Sequence, residues 1–328
     1  MSNLTSDTKA AVANLFDVEI TDAWPIHGGD YSQVFRVHDA ADKAYILKVH
    51  EKYSKEGAAV IAYLQSINFK WMPKQYLSKK GNVWEQCDDG YMSLQEFIDS
   101  PQTLLWNSTV DDDYYKQLGV ALYDLHHLEI PEALAEQLER ETYEPRHLQD
   151  WRAVAQKAQA GGDTITDQFK IAIADNQSKI TEIIDRAIAL GKTVKEQNRK
   201  LCLIHGDFHL ANVIKPASGD IYVIDWDFPM LSLPEHDMMI FINPERVKKI
   251  TAGYNDPAFP EPHAHAYYSL GKILRGLWFY VNRGIDTKYS EPQRKEYLQT
   301  FRGMLLDNSD ADQSLNFARS LDKPEASR

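Results

Sequence analysis

From Trp24 to Val49 apolar and polar residues change places at short intervals. Gln33-Val34-Phe35-Arg36-Val37 alternates strictly, and Ala44 to Val49 is a second short apolar run after the polar stretch Asp39 to Lys43, so both predict strands. From Lys55 to Gln65 the period lengthens. Ala58, Ile61, Ala62 and Leu64 form an apolar stripe, which predicts a helix. Further strands are expected near Trp71 to Leu77, Val83 to Cys87 and Tyr91 to Phe97, with Gly81-Asn82 and Asp88-Asp89-Gly90 supplying turns. The first hundred residues thus read as a small strand-rich lobe holding one helix.

After Ile98 the pattern changes. Ser100-Pro101 breaks the run, and Leu118, Leu122 and Leu125 recur at helical spacing on a segment that reaches His127, with Ser108 and Thr109 as N-cap candidates. Asp111-Asp112-Asp113 falls in the first turn of that helix, where negative charge meets the positive helix end. Arg146 to Lys200 is helical in pattern almost throughout, Leu201 to Asp227 breaks into two or three strands, and Tyr267 onward returns to helix. Asp322 to Arg328 is expected to fray. These shifts place a domain boundary near Ile98, giving residues 1–98 and 99–328.

A chain of 328 residues with 43% apolar content is long enough for two lobes, each with its own core. The formal net charge of −12 narrows the partners. Neither half is basic, so nucleic acid and an anionic membrane surface are not expected to bind, whereas a cationic small molecule would be drawn in. No apolar run is long enough to cross a bilayer, and Met1 to Ala10 is polar with no signal core, so a cytoplasmic location is expected. Cys87 and Cys202 have no CxxC partner and read as buried reduced thiols.

The chemistry concentrates in Leu201-Cys-Leu-Ile-His205-Gly-Asp207-Phe-His-Leu-Ala-Asn212-Val-Ile and in Ile221-Tyr-Val-Ile-Asp225-Trp-Asp227. Two β segments joined by the turn Lys215 to Asp220 would bring Asp207, Asn212 and Asp225 to one end of a sheet. Two carboxylates and a carboxamide there make a hard oxygen site suited to Mg²⁺. Phosphoryl transfer needs this inventory, together with a positive charge and a covering loop for the nucleotide phosphates. Lys48 sits inside the apolar strand Tyr45-Ile-Leu-Lys48-Val, where an unpaired ammonium is costly, and Glu56 could pair with it. Gly28-Gly29-Asp30-Tyr31-Ser32 could bring backbone N–H groups close to phosphate.

The order of Gly-Gly loop, strand Lys, helix Glu, HGDFHLAN and IDWD resembles the aminoglycoside phosphotransferases, most of all their spectinomycin branch through Ile221 to Leu231 and the Asp237 region. The resemblance spans about residues 26 to 240. It implies an α+β, two-lobed protein-kinase-like fold, with a small antiparallel sheet and one helix in the first lobe and a larger, mainly helical second lobe. It implies ATP and Mg²⁺ as cofactors and a hydroxyl of a small cationic molecule as acceptor. On this likeness Asp207 is the catalytic base, Asn212 and Asp225 are metal ligands, Lys48 contacts the α/β-phosphates, and Glu56 positions Lys48. Gln95, Phe97 and Ile98 correspond to the hinge that holds the purine, and Gly28, Gly29 and Ser32 to the phosphate loop. Two departures stand out: the glycine loop is not GxGxxG, and Gly206 replaces the Arg of the protein kinase HRD motif.

Other readings compete. Choline, homoserine and methylthioribose kinases share these motifs. A metal-dependent hydrolase could use His205, Asp207, His209, His236, His263 and His265, though it leaves Lys48 and Glu56 unexplained. A nucleotide-binding scaffold without catalysis is a third class. On the kinase reading His205 and His209 are structural, satisfied by backbone hydrogen bonds, Asp227 either binds a second metal or braces the loop, and Asp237 braces the loop's backbone. Trp226, Trp278 and Tyr280 are expected in the core.

Overall fold

The computed structural model describes residues 4–26, 32–88, 90–101, 103–105, 108–217 and 219–322. The expectation for Gly28 and Gly29, and most of the expected frayed tail, fall outside them. The chain divides into two compact units, one made of Met1–Ala121, Leu128–Glu139 and His205–Leu231, the other of Leu122–His127, Arg140–Ile204 and Ser232–Arg328.

The first unit opens with a helix the alternation pattern did not reveal, α1 (Ser6–Phe16), whose N-cap Thr5 accepts a hydrogen bond from the Thr8 N–H at 3.1 Å. There follow β1 (Ile20–Ile26), β2 (Ser32–Asp39), β3 (Ala44–His50), α2 (Lys55–Ser66), β4 (Gln75–Tyr76), β5 (Glu85–Cys87) and β6 (Gly90–Glu96). The strands form one antiparallel sheet in the order β1-β2-β3-β6-β4, with β5 also on β6. Because side chains alternate between faces, register assigns each residue to a side. Phe35, Val37, Leu47, Val49, Met92 and Leu94 share one side and bury it against Val12 and Phe16 of α1. That burial contributes on the order of 2 kcal/mol per large side chain. The opposite side carries the cross-strand rows Val34, Lys48, Ser93 and Arg36, Ile46, Gln95.

The helix expected before His127 is α3 (Asp112–His126). Its cap is Asp111, whose Oδ1 accepts from the Tyr114 N–H at 2.7 Å, so neither Ser108 nor Thr109 serves. Only Asp112 and Asp113 lie in the first turn. The short helix α4 (Glu132–Ala135) follows.

In the second unit α5 (Leu148–Gln159), α6 (Thr164–Asp175), α7 (Gln177–Glu196) and β7 (Cys202–Ile204) precede the remaining elements. The catalytic-loop region, which belongs to the first unit, supplies β8 (Val213–Ile214) and β9 (Tyr222–Val223), and β10 (Met230–Ser232) follows at the boundary; the carboxyl-terminal part of the second unit adds α8 (Pro244–Tyr254), α9 (Pro262–Ile285), α10 (Glu291–Met304) and α11 (Asp310–Ser320). Ala266, Leu270, Ile273, Leu274, Leu277 and Val281 recur every three or four residues along α9, and this stripe is the spine of the helical core with Phe169, Ile183 and Phe301. Trp278 and Tyr280 pack against that core only partly buried. Arg294 ties two helices together, donating to both oxygens of Asp163, the α6 N-cap, at 2.9 and 2.7 Å. Neither Cys87 nor Cys202 forms a disulfide, and both are half-buried. Among the described residues no helix is long and apolar enough to cross a membrane.

One glycine decides how α2 seats. A Cβ on Gly57 would collide with the Trp226 backbone carbonyl, so the helix lies directly on the Asp225-Trp226-Asp227 segment. Gly→Ala within an exposed helix stabilises by about 1 kcal/mol through helix propensity. Gly57→Ala should instead destabilise by about 2 kcal/mol, because overpacking against backbone outweighs propensity. Urea unfolding of the two proteins reads the sign directly.

Candidate active site

The hairpin of β8 and β9 explains why the two acidic motifs meet. Val213 pairs with Val223 and Ile214 with Tyr222, and the Ile224 N–H donates to the Asn212 carbonyl at 2.9 Å, so Asn212 and Asp225 leave the hairpin at the same end. Asn212 closes a 3₁₀ turn from Leu210, and its Nδ2 donates to the Asp207 carbonyl at 2.9 Å. The carboxamide oxygen is thereby turned the other way. Gly206, which starts this loop, has φ of +81°, and a Cβ there would collide with the Phe228 carbonyl. No other residue type fits that position without moving the loop.

Lys48 reaches this hairpin from β3. Its Nζ donates to Asp225 Oδ1 at 2.9 Å, across 177 residues of sequence. The Lys48 side chain is 13% exposed and that of Asp225 39%, so the ammonium is enclosed while the carboxylate keeps an accessible oxygen. Glu56 is not its partner: the Glu56 carboxylate lies 3.5 Å from the Ser54 hydroxyl at the start of α2. Asp225 itself has φ of +68°, unusual for a residue with a side chain.

Burial alone would push the Asp225 carboxyl up, but the attraction of Lys48 outweighs it and holds the group below the ordinary carboxylate range. At Asp227 the balance goes the other way. Burial and the neighbouring charges of Asp225 and Asp207 push it up to about 6, against the pull of Lys48. Three carboxylates in one loop region therefore repel one another, which is the electrostatic environment a bound cation relieves. Asn212 and Asp225 offer oxygen donors of the kind a hard divalent ion takes. Among the described residues no three His, Cys, Asp or Glu side chains converge closely enough to hold a metal alone. A cation seated here would complete its shell with phosphate oxygens and water, as Mg²⁺ commonly does.

The histidines divide. His205 is satisfied by backbone, its Nε2 donating to the Ile224 carbonyl at 2.9 Å and its Nδ1 accepting from the Asp207 N–H at 3.3 Å, so it has no nitrogen left for a metal. His209 is not satisfied in that way. Its Nε2 lies 3.5 Å from Asp207 Oδ2 and 3.4 Å from Asn212 Nδ2, while its Nδ1 is buried without a partner. In the second unit His265 bonds the Met238 carbonyl, His263 pairs with Glu261, and His236 bonds Ser232, so the expected hydrolase ligands are each engaged locally. Asp237 is fully buried there, 3.1 Å from His126 Nε2, whose Nδ1 meets the Tyr254 hydroxyl at 3.0 Å.

The expected hinge residues sit at the end of β6 and just beyond. Gln95 is buried beside Ile46 and accepts from Gln75 Nε2 at 3.5 Å; Phe97 is half-buried with the Arg36 guanidinium 4.2 Å above its ring, and Ile98 follows it, also half-buried. Lys48, Ser93, Gln95, Met72, Asp225 and Asp227 line one cleft. Ser32 opens β2, in register with His50. Sequence reasoning missed the Lys48–Asp225 pair, the raised Asp227 and the contact of His209 with Asp207. Only the neighbouring acidic residues Asp225 and Asp227 hinted at the second of these.

The Asp227 shift has a stability consequence. The folded chain holds the proton up to about pH 6 and the unfolded chain only to its ordinary value near 3.8, so the penalty grows between those values and is complete above them. Asp227→Asn should stabilise the ligand-free protein at pH 7.5 by about 2 kcal/mol. Denaturant titrations at pH 7.5 and pH 4 should show that gain present at the first and nearly gone at the second.

The sequence model of the APH phosphotransferase enzyme family matches residues 23–269. No curated protein sequence matches the chain. The fold is shared with the crystal structure of a spectinomycin phosphotransferase in complex with ADP and spectinomycin, at TM-score 0.82 and 21% identity over 97% of this chain and 99% of that one. An AMP-bound complex of spectinomycin phosphotransferase matches at TM-score 0.80 and 20% identity over 98% and 100%. An aminoglycoside phosphotransferase from Alicyclobacillus acidocaldarius follows at TM-score 0.63 and 12% identity over 98% and 96%.

Proposed function

The chain belongs to the APH phosphotransferase enzyme family and is a small-molecule kinase, and from that premise we propose that it moves the γ-phosphate of ATP, with Mg²⁺, to a hydroxyl of a cationic aminoglycoside or aminocyclitol such as spectinomycin. The observation that carries this reading is the Lys48–Asp225 pair at 2.9 Å, beside a loop that holds Asp207 and Asn212. One cation for phosphate, one carboxylate without that cation, and a set of oxygen donors lie within a single compact unit.

In this mechanism Asp207 orients the acceptor hydroxyl and accepts its proton as the oxygen attacks γ-phosphorus and the bond to the β-phosphate oxygen breaks, releasing ADP. Lys48 offsets charge on the α/β-phosphates, and backbone N–H groups of the Gly28-Gly29 segment are the further phosphate donors of this proposal. Gln95, Phe97 and Ile98 border the base. Asn212 and Asp225 would hold Mg²⁺, which would supply neutralisation of charge on the phosphates. The net charge of −12 supports a cationic acceptor, and it makes Lys48 the more necessary as local countercharge for a polyanionic nucleotide.

ADP release should be measured across spectinomycin, aminoglycosides, choline and sugar kinase substrates. Turnover is expected with spectinomycin or an aminoglycoside; turnover with another metabolite alone would overturn the acceptor class. Asp207→Ala should lower kcat by about 10³-fold with nucleotide affinity little changed. Lys48→Met should raise the nucleotide KM by about tenfold, since it removes the phosphate cation and strands Asp225.

A further inference from the structure

We propose that Phe228 is a specificity-determining residue for this phosphotransfer: the face of its ring receives the ammonium-bearing part of the acceptor and seats it beside Asp207. The inference rests on the reading of the chain as a kinase of cationic acceptors with Asp207 as the base.

Phe228 is at odds with its own segment. In Trp226-Asp227-Phe228-Pro229-Met230-Leu231 every other apolar side chain is buried, whereas Phe228 is 47% exposed. One exposed apolar side chain is ordinary on a protein surface, so the argument turns on where this one stands. It stands at the catalytic loop. A Cβ on Gly206 would lie 3.3 Å from Phe228 Cβ, so the Phe228 side chain leaves the backbone alongside the residue that precedes Asp207. Its other neighbour is Asp227. The cleft that Lys48 borders is lined as far as Asp227, and Phe228 is not among its walls. The ring therefore belongs with the acceptor rather than with the nucleotide.

The backbone that carries the ring is held on both sides. The Phe228 carbonyl packs on Gly206, whose φ of +81° makes that approach possible. Pro229 follows, and a residue before proline is confined to extended backbone. Beyond it the Leu231 N–H donates to the Glu139 carbonyl at 2.8 Å. A ligand that meets the ring thus has little backbone left to order.

The chemistry of the surroundings selects a cation. The face of an aromatic ring is negative and attracts an ammonium, and carboxylates close by add to the attraction. Asp207 and Asp225 keep 19% and 39% of their side chains exposed, and Asp227 directly precedes Phe228. A neutral sugar would gain only contact area from this surface, whereas an organic ammonium gains from the ring and the carboxylates together.

The test compares Phe228→Ala, Phe228→Leu and Phe228→Tyr in the full chain, with spectinomycin and gentamicin as acceptors. ADP release gives kcat and the KM for acceptor and for nucleotide, and a thermal melt gives stability. Phe228→Ala should raise the acceptor KM about tenfold, leave the nucleotide KM within about twofold and melt with the parent, since half of the side chain is already in water. Phe228→Leu keeps apolar area but lacks the ring face, and should raise the acceptor KM about fivefold; Phe228→Tyr keeps the face and should stay within about twofold. An acceptor KM in the Ala protein within about twofold of the parent, equal values for Leu and Tyr, or a nucleotide KM that rises in step would overturn the proposal. Should the Ala protein fail to fold, the Leu and Tyr pair decides. Asp207→Ala runs alongside. A parent that turns over neither acceptor sinks the acceptor class and this proposal with it, and retained turnover in Asp207→Ala sinks the base and the seat beside it. Parental turnover of spectinomycin that depends on Asp207, with unchanged kinetics in Phe228→Ala, sinks only the role of Phe228.

Discussion

The ion pair between Lys48 and Asp225 is the constraint on which the site depends. A lysine in the middle of an apolar strand is unfavourable until its ammonium finds a carboxylate, and here the hairpin of β8 and β9 supplies one by bringing Asp225 to Lys48. The same contact keeps Asp225 ionised despite its burial. Because one face of the sheet is sealed by α1, the other is left to carry charge and to border a cleft. The division of faces, a consequence of strand alternation, therefore separates stability from chemistry.

Close backbone approaches make the arrangement rigid. Gly57 lets α2 lie on the Trp226 carbonyl, and Gly206 lets the catalytic loop cross the Phe228 carbonyl. In both places a single methyl group would push apart the elements that hold Asp207, Asp225 and Asp227. Against this rigidity stands the mutual repulsion of three carboxylates, which leaves Asp227 with a raised affinity for its proton. A protein optimised for stability alone would not keep that repulsion; a site meant to receive a cation benefits from it.

Much of this was legible in the residues. Alternation places β2 and β3, the apolar stripe places α2, and the order of motifs points to the family. The strand-turn-strand pattern about the turn Lys215 to Asp220 appears as the β8–β9 hairpin, which brings Asn212 and Asp225 to the same end. Other features were hidden for identifiable reasons. The helix α1 has few apolar positions in a polar opening segment, so its amphipathic signal is weak. The α3 cap is one of three consecutive aspartates, and composition cannot say which one turns back to the backbone. Proximity along the chain points Lys48 to Glu56, eight residues away, whereas the structure supplies a partner 177 residues away.

By itself the sequence determined the residue inventory for phosphoryl transfer, the period of each major element and the family, since all of these are written locally, in spacing along the chain. Tertiary structure decided which charges meet. Whether Lys48 pairs with Glu56 or Asp225, whether Asp227 keeps its proton, and which atom His209 faces depend on distances of a few ångströms between segments remote in sequence. Coulomb energy and desolvation change steeply over such distances, and only folding sets them.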